Sequence, residues 1–261
     1  MSQSKNTIST SGISATFLIL TTLFFGLKLF KTHSPADLDQ PTFSIAWSIG
    51  FFVVLLLIEF FNNLSVAAQI CNGSPQNAFT VFLYTLIPNF LVLGTVILLI
   101  SILPGWLSPF SNTIGYFIVS CMGLSNQFNS LLKSPKSAGK AGPLITKIYS
   151  DKSLLINEMN ASNYTTFMSR LSNIFVKNYT SLPAYRNLYA LVVIKNTISE
   201  YIWYVLSGLL AISIGAHSIS SLQCEYSPEE MQKTISQLHD EEAEILNEKE
   251  NNKPVLYSKN N

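Results

Sequence analysis

Residues 60–132 read FFNNLSVAAQICNGSPQNAFTVFLYTLIPNFLVLGTVILLISILPGWLSPFSNTIGYFIVSCMGLSNQFNSLL and contain no Asp, Glu, Lys, Arg or His. A soluble fold must cover its surface with polar and charged groups, and a stretch of this length without one ionisable side chain cannot do so. The whole chain agrees: 261 residues are 48% hydrophobic and only 12% charged, where a soluble domain carries about 25% charge. The expected class is therefore all-α and polytopic, with four to five transmembrane helices and a small helical extramembrane insert. This composition excludes a soluble enzyme, a secreted disulfide scaffold and a nucleic-acid binder with a basic face. A net charge of +1 adds no general attraction to acidic partners.

Working outward, residues 1–132 form the membrane region. Spans are expected at about 13–30, 43–61 and 79–103, each near the length that crosses a hydrocarbon core of about 30 Å. The polar start of the chain, with Lys5, precedes an apolar run that reaches Phe30 and ends in Lys28 and Lys31. That pattern reads as a retained span, not a cleaved signal peptide. Pro88 falls inside the third span, where neighbouring helices can repair the lost hydrogen bond. The segment 106–132 is apolar from Ile114 to Leu124 but flanked by Ser and Asn; a short fourth span and a re-entrant hairpin both fit it, and the span is preferred.

From Lys133 the character changes. Residues 133–187 carry Lys133, Lys136, Lys140, Lys147, Lys152, Arg170, Lys177 and Arg186 against Asp151 and Glu158 alone. This is a basic extramembrane insert, in which Tyr164, Phe167, Met168, Leu171 and Phe175 have the spacing of an amphipathic helix. It is too small for a large core of its own and is expected to lean on the membrane or on a partner. Lys133, Lys136, Lys140, Lys147, Lys152, Phe167 and Leu171 are the candidate partner surface. The last span is expected over 188–222, with Tyr201, Trp203 and Tyr204 at an interface and Lys195 and Glu200 at the hydrated edge. Residues 223–261 form an acidic tail, helical after Ser227-Pro228-Glu229-Glu230 and disordered from Asn251 on.

Orientation depends on the span count. With five spans the basic insert shares a side with the N-terminus, and Lys28 and Lys31 fall on the opposite, unfavourable side. A re-entrant fourth segment removes that conflict.

The chemistry-bearing residues form no set. His33, His217 and His239 are scattered and match no metal-ligand spacing, and no nucleophile, zinc or phosphate-loop motif occurs. No metal, no cofactor and no catalytic residue is expected. Glu59, near the end of an apolar run, is expected at headgroup level. Cys121 is expected to be a small buried hydrophobe. Cys71 and Cys224 can pair only if they face one compartment, and they are expected to stay apart. The sequons at Asn63, Asn72, Asn160, Asn163 and Asn178 are expected to stay unmodified.

One phrase remains: Pro104-Gly105-Trp106-Leu107-Ser108-Pro109-Phe110-Ser111-Asn112-Thr113-Ile114-Gly115-Tyr116. Its own chemistry suggests a structural turn at an interface, built on Pro104, Gly105, Trp106, Pro109, Phe110, Asn112, Gly115 and Tyr116. Ser111, Asn112 and Thr113 are available to cap the next helix. With Cys71-Asn72-Gly73 before it and Asp151-Lys152-Ser153-Leu154-Leu155-Ile156-Asn157-Glu158 after it, the phrase resembles a family of multi-span membrane proteins of nucleocytoplasmic large DNA viruses, of the algal and giant-virus kind. The resemblance covers roughly residues 60–160. It implies a minor capsid component of the virion inner membrane that joins this membrane to the icosahedral capsid, with no catalytic residues to carry over. The implied partners are the lipid bilayer and other capsid or membrane proteins of the virion, in homo- or hetero-oligomers, and no nucleic acid. The alternative is a small-molecule or ion channel or transporter, with Pro88, Asn89 and Gly94 breaking a helix around a site.

Overall fold

The computed structural model describes residues 3–32, 45–71, 78–222, 224 and 228–251. Among them the fold is all-α, with a single isolated bridge between Leu132 and Phe175. Helices α1 (Gln3–Thr32) and α2 (Ile45–Ile70) come first. Helix α3 (Ala78–Pro88) continues through a π-helical segment, Asn89–Gly94, into α4 (Thr95–Ile102). The short turns α5 (Ser108–Phe110) and α6 (Tyr116–Cys121), and then α7 (Leu124–Leu131), follow. Helices α8 (Gly142–Ser150), α9 (Ser153–Ile156) and α10 (Tyr164–Arg170) precede the long α11 (Pro183–Ser220) and the tail helix α12 (Pro228–Asn251). The expected disorder after Asn251 and the turn at residues 72–77 lie outside the described residues.

Among the described residues four helices are long and apolar enough to cross a membrane: Ser11–Phe30, Ala46–Ile70, Ala78–Ile102 and Pro183–Ser220. Their outward faces carry Leu23, Leu27, Val53, Leu57, Phe61, Phe90 and Leu98, a lipid-compatible surface. Helix α11 organises the bundle. At 38 residues it is about 57 Å long, nearly twice a hydrocarbon core, so half of it projects beyond the other spans. Its lower half offers Ser207, Ala211 and Gly215 at four-residue spacing, all buried. Small residues at this spacing let helix backbones approach closely in lipid, where association rests on van der Waals contact. The Phe17 ring of α1 packs onto Gly208, and Gly215 lies against the Tyr84 carbonyl, with room for a Cβ only 3.2 Å from that oxygen. Tyr84 is the residue whose carbonyl Pro88, lacking an N–H, cannot bond.

The pairings fix the directions. Phe17 meets Gly208, Thr22 meets Tyr201, and Lys28 ion-pairs with Glu200, so α1 and α11 run antiparallel. Phe24 stacks on Phe51 at 4.3 Å, placing the start of α2 beside the end of α1. At the opposite end Ala67, Val81 and Ile219 form a small cluster. Beside it Cys71 and Cys224 are joined in a disulfide, their Cα atoms 5.5 Å apart. This corrects the expectation that the two cysteines stay apart. They are separated by 153 residues, and because α2 and α11 both run antiparallel to α1 they run parallel to each other, which brings their C-terminal ends to one face.

The segment 104–132 is not one of these four long helices. It climbs α11 in 3-10, α and π turns from Pro104 to Cys121, reverses at Gly123 (φ +90°), and returns as α7. Of its polar residues, Ser111, Asn112 and Gln127 bond to α11. Cys121 is exposed on this hairpin, not buried. The upper half of α11 and this hairpin also complete the core that residues 133–187 lack alone. That core runs from Val119, Leu124 and Phe128 through Ile145, Ile156, Met168 and Phe175 to Leu188 and Val192. The expected amphipathic helix is shorter than its spacing suggested: α10 stops at Arg170, and Phe175 lies in the bridge to Leu132. Buried Tyr164 donates to the Tyr185 carbonyl at 2.7 Å, and burial pushes its hydroxyl pKa up. The result is a head built on residues 104–198, standing on a four-helix bundle.

Candidate functional site

The phrase 104–116 forms the seam between bundle and head. One face of α11 supplies its partners. Trp203 Nε1 donates to the Trp106 carbonyl at 3.1 Å, and Ser199 Oγ donates to the Leu107 carbonyl at 2.6 Å. Ser111 Oγ donates to Asn196 Oδ1 at 3.2 Å, and Lys195 Nζ donates to Asn112 Oδ1 at 3.3 Å. Residues 195, 196, 199 and 203 recur at helical spacing, so a single ridge of α11 reads the phrase. Pro104 opens a 3-10 turn and Pro109 starts α5, each in the first turn where a missing N–H is harmless. Phe110 packs edge-on to Trp203 at 5.1 Å, with Trp106 beside it at 6.1 Å. Gly115 permits the closest approach: a Cβ there would lie 2.8 Å from the Lys195 carbonyl oxygen. Tyr116 is partly buried against the head core. Ser111 and Asn112 do not cap a helix as expected, because α11 offers them better-placed partners. Thr113 bonds back to the Pro109 carbonyl at 2.5 Å.

Lys195 corrects a second expectation. It is buried, 1% exposed, and its Nζ also donates to the Ile156 carbonyl at 2.7 Å. It therefore ties three segments of the head together and does not stand at a hydrated edge. Glu200 is at the junction and pairs there with Lys28. Of the interface aromatics, Tyr204 is buried among Phe25 and Phe51, while Tyr201 and Trp203 are half-buried. A cavity of about 220 Å³ opens at the same level, lined among others by Lys28, Ser48, Ile100, Asn160, Asn196 and Glu200.

The candidate partner surface divides in two. Lys136, Lys140 and Lys147 are exposed. Lys133 donates to the Asn173 carbonyl and Lys152 to the Tyr149 carbonyl, each at 2.6 Å, and Phe167 and Leu171 pack partly against the head core. Four apolar residues of the hairpin, Trp106, Ile114, Phe117 and Met122, are exposed; sequence reasoning picks out Trp106 and misses the other three. Their apolar character was visible, but a lipid-facing span explained it equally well.

Glu59 corrects a third expectation. The apolar core of the second span ends near Phe61, and helix α2 continues past it to Ile70, which puts Glu59 about 21 Å from one end and about 16 Å from the other. It is 4% exposed and accepts a hydrogen bond from Asn89 Nδ2 at 2.6 Å. Asn63, one turn on, donates to Thr85 Oγ1 at 2.9 Å. A ladder of polar groups thus joins α2 to α3 inside the bundle.

Among the described residues no three His, Cys, Asp or Glu side chains gather into a metal site. Comparison of the chain with protein-family models, with curated proteins and with solved structures finds no match.

Proposed function

We propose that this chain is a structural membrane anchor that holds a basic head rigidly against one face of a bilayer and presents it to a partner. The observation that carries the proposal is the seam. Backbone carbonyls of 106–107 and side chains of 111–112 are bonded to consecutive turns of one α11 ridge, so bundle and head share a continuous helix and move as one. Exposed Lys136, Lys140 and Lys147, together with exposed Trp106, Ile114, Phe117 and Met122, suit a protein partner with an acidic, partly apolar surface. The resemblance of the 104–116 phrase supplies the setting: the inner membrane of a large icosahedral DNA virus, with the head directed at the capsid as a minor capsid component.

Orientation follows from two independent features. Lys28, paired with Glu200, and the basic head lie toward one face, which the positive-inside rule favours as the cytosolic one. The Cys71–Cys224 disulfide lies toward the other, which suits an oxidising compartment. With four spans the conflict over Lys28 and Lys31 does not arise.

The test is mass spectrometry of purified particles split by mild detergent into membrane and capsid fractions. Many copies per particle, tracking with capsid proteins after detergent, support the anchor. Absence from particles, with the protein only in host-cell membranes, overturns the virion setting. A second reading, a transporter, is favoured by one observation, the buried Glu59–Asn89 pair beside the π-helical segment Asn89–Gly94, since π segments often mark functional sites. Solute uptake by reconstituted liposomes, abolished by Asn89→Leu, would put that reading first.

A further inference from the structure

The interior of the bundle contains two oxygen atoms with no hydrogen-bond partner that belong to adjoining side chains: Glu59 Oε1 and Asn89 Oδ1. The polar groups bonded to this pair are satisfied, and the one further unpartnered oxygen among the described residues of the bundle is Thr21 Oγ1 on α1. Asn89 Nδ2 spends its two hydrogens on Glu59 Oε2 at 2.6 Å and on the Thr85 carbonyl at 3.0 Å. Thr85 Oγ1 receives Asn63 and donates to the Val81 carbonyl at 3.0 Å. Both orphans are acceptors, and both residues are more than nine-tenths buried, at 4% and 2% exposure. What the site lacks is one donor hydrogen.

Among the described residues no cation is positioned to neutralise a carboxylate there. The ionisable groups of the helices packed on α2 and α3 sit elsewhere. Lys28 and Glu200 pair at the head end, Lys195 is in the head, and His217 lies near the far end of α11. Tyr84 faces outward from α3, and Tyr201 and Tyr204 face α1 and Phe51. An unpaired carboxylate in a hydrocarbon-surrounded interior is strongly disfavoured.

We propose that Glu59 is a proton-binding site, held as a neutral carboxylic acid that closes a two-bond ring with the Asn89 carboxamide. The Asn89 N–H donates to Oε2, and the acid O–H on Oε1 donates to Asn89 Oδ1. One bound proton supplies the missing donor, satisfies both orphan oxygens and removes the buried charge. A carboxamide is the side chain that can complete such a ring, because it offers a donor and an acceptor side by side. The site takes a proton, and a monovalent cation is the competing occupant.

The experiment is infrared spectroscopy of the full-length protein in lipid nanodiscs at neutral pH. Glu59→Gln preserves the shape and both hydrogen bonds, and Asn89→Leu removes the ring partner. The expected result is a protonated-carboxyl stretching band in the wild type. It should be lost in Glu59→Gln and shifted to higher frequency in Asn89→Leu, with the wild-type band unchanged by added sodium. Absence of the band in the wild type, its persistence in Glu59→Gln, or its disappearance on adding sodium would each overturn the proposal. Intact, monodisperse Glu59→Gln protein is the control that separates loss of the group from loss of the fold.

Discussion

Gly115→Ala isolates the contact that brings the 104–116 phrase against α11. The added Cβ would lie 2.8 Å from the Lys195 carbonyl oxygen and 2.9 Å from Lys195 Cγ. Reaching an ordinary contact of about 3.4 Å requires the π turn of residues 111–115 to retreat by roughly 0.6 Å. Two hydrogen bonds span that gap, Ser111 to Asn196 at 3.2 Å and Lys195 to Asn112 at 3.3 Å. A retreat of that size stretches both beyond useful length. Overpacking of this kind costs about 1–3 kcal/mol, and each kcal/mol lowers the melting temperature by roughly 2–4 °C in a chain of this size. Gly105 provides the internal control, since a Cβ there meets nothing within 4 Å. Thermal unfolding of the purified protein in detergent, followed by Trp emission and by loss of the monodisperse peak, measures both. Gly115→Ala should melt several degrees low and Gly105→Ala should match the wild type. Equal melting of Gly115→Ala and wild type, or equal damage from the two substitutions, would refute the close approach.

Gly208→Ala drives a Cβ to within 2.0 Å of the Phe17 ring, so α1 must shift and the yield of monodisperse protein should fall; the double variant with Phe17→Leu should recover part of it. Cys71→Ser should remove a reductant-sensitive shift in gel mobility, whereas a wild type that yields three free thiols under denaturing, non-reducing conditions would contradict the disulfide. Lys195→Met keeps the packing but leaves the buried Ile156 carbonyl without its side-chain donor, a loss of about 1–3 kcal/mol, read as a lower melting temperature; an unchanged value would mean that Lys195 does not hold the head together.

The spans were legible because lipid leaves a coarse signature: long runs such as Gly50–Ile58 and Phe90–Ile100 with no charge. What was illegible depended on who meets whom. Asn62 and Asn63 beside Glu59 looked like the headgroup level of a span, yet Asn63 finds Thr85 on α3, and the helix to Ile70 carries Glu59 to mid-depth. Ser111 and Asn112 looked like caps or the flank of a fourth crossing, but their partners Asn196 and Lys195 are more than eighty residues away. Lys195 looked like an edge charge because nothing in its neighbourhood reveals the Ile156 carbonyl that receives it. The disulfide required the span count, and the span count required the seam.

The most direct test is the side of the membrane that each part reaches in sealed vesicles. An N-terminal epitope tag, a cysteine placed at His239 of the tail helix and a cysteine placed at Lys140 of the head, each in a Cys121→Ser background, are probed with a protease or an impermeant maleimide. Four crossings, with the 104–132 hairpin outside the count, predict that the N-terminal tag and His239→Cys are reached from one face and Lys140→Cys from the other. An N-terminal tag reached from the same face as Lys140→Cys would require a fifth crossing and contradict the architecture on which the anchor rests.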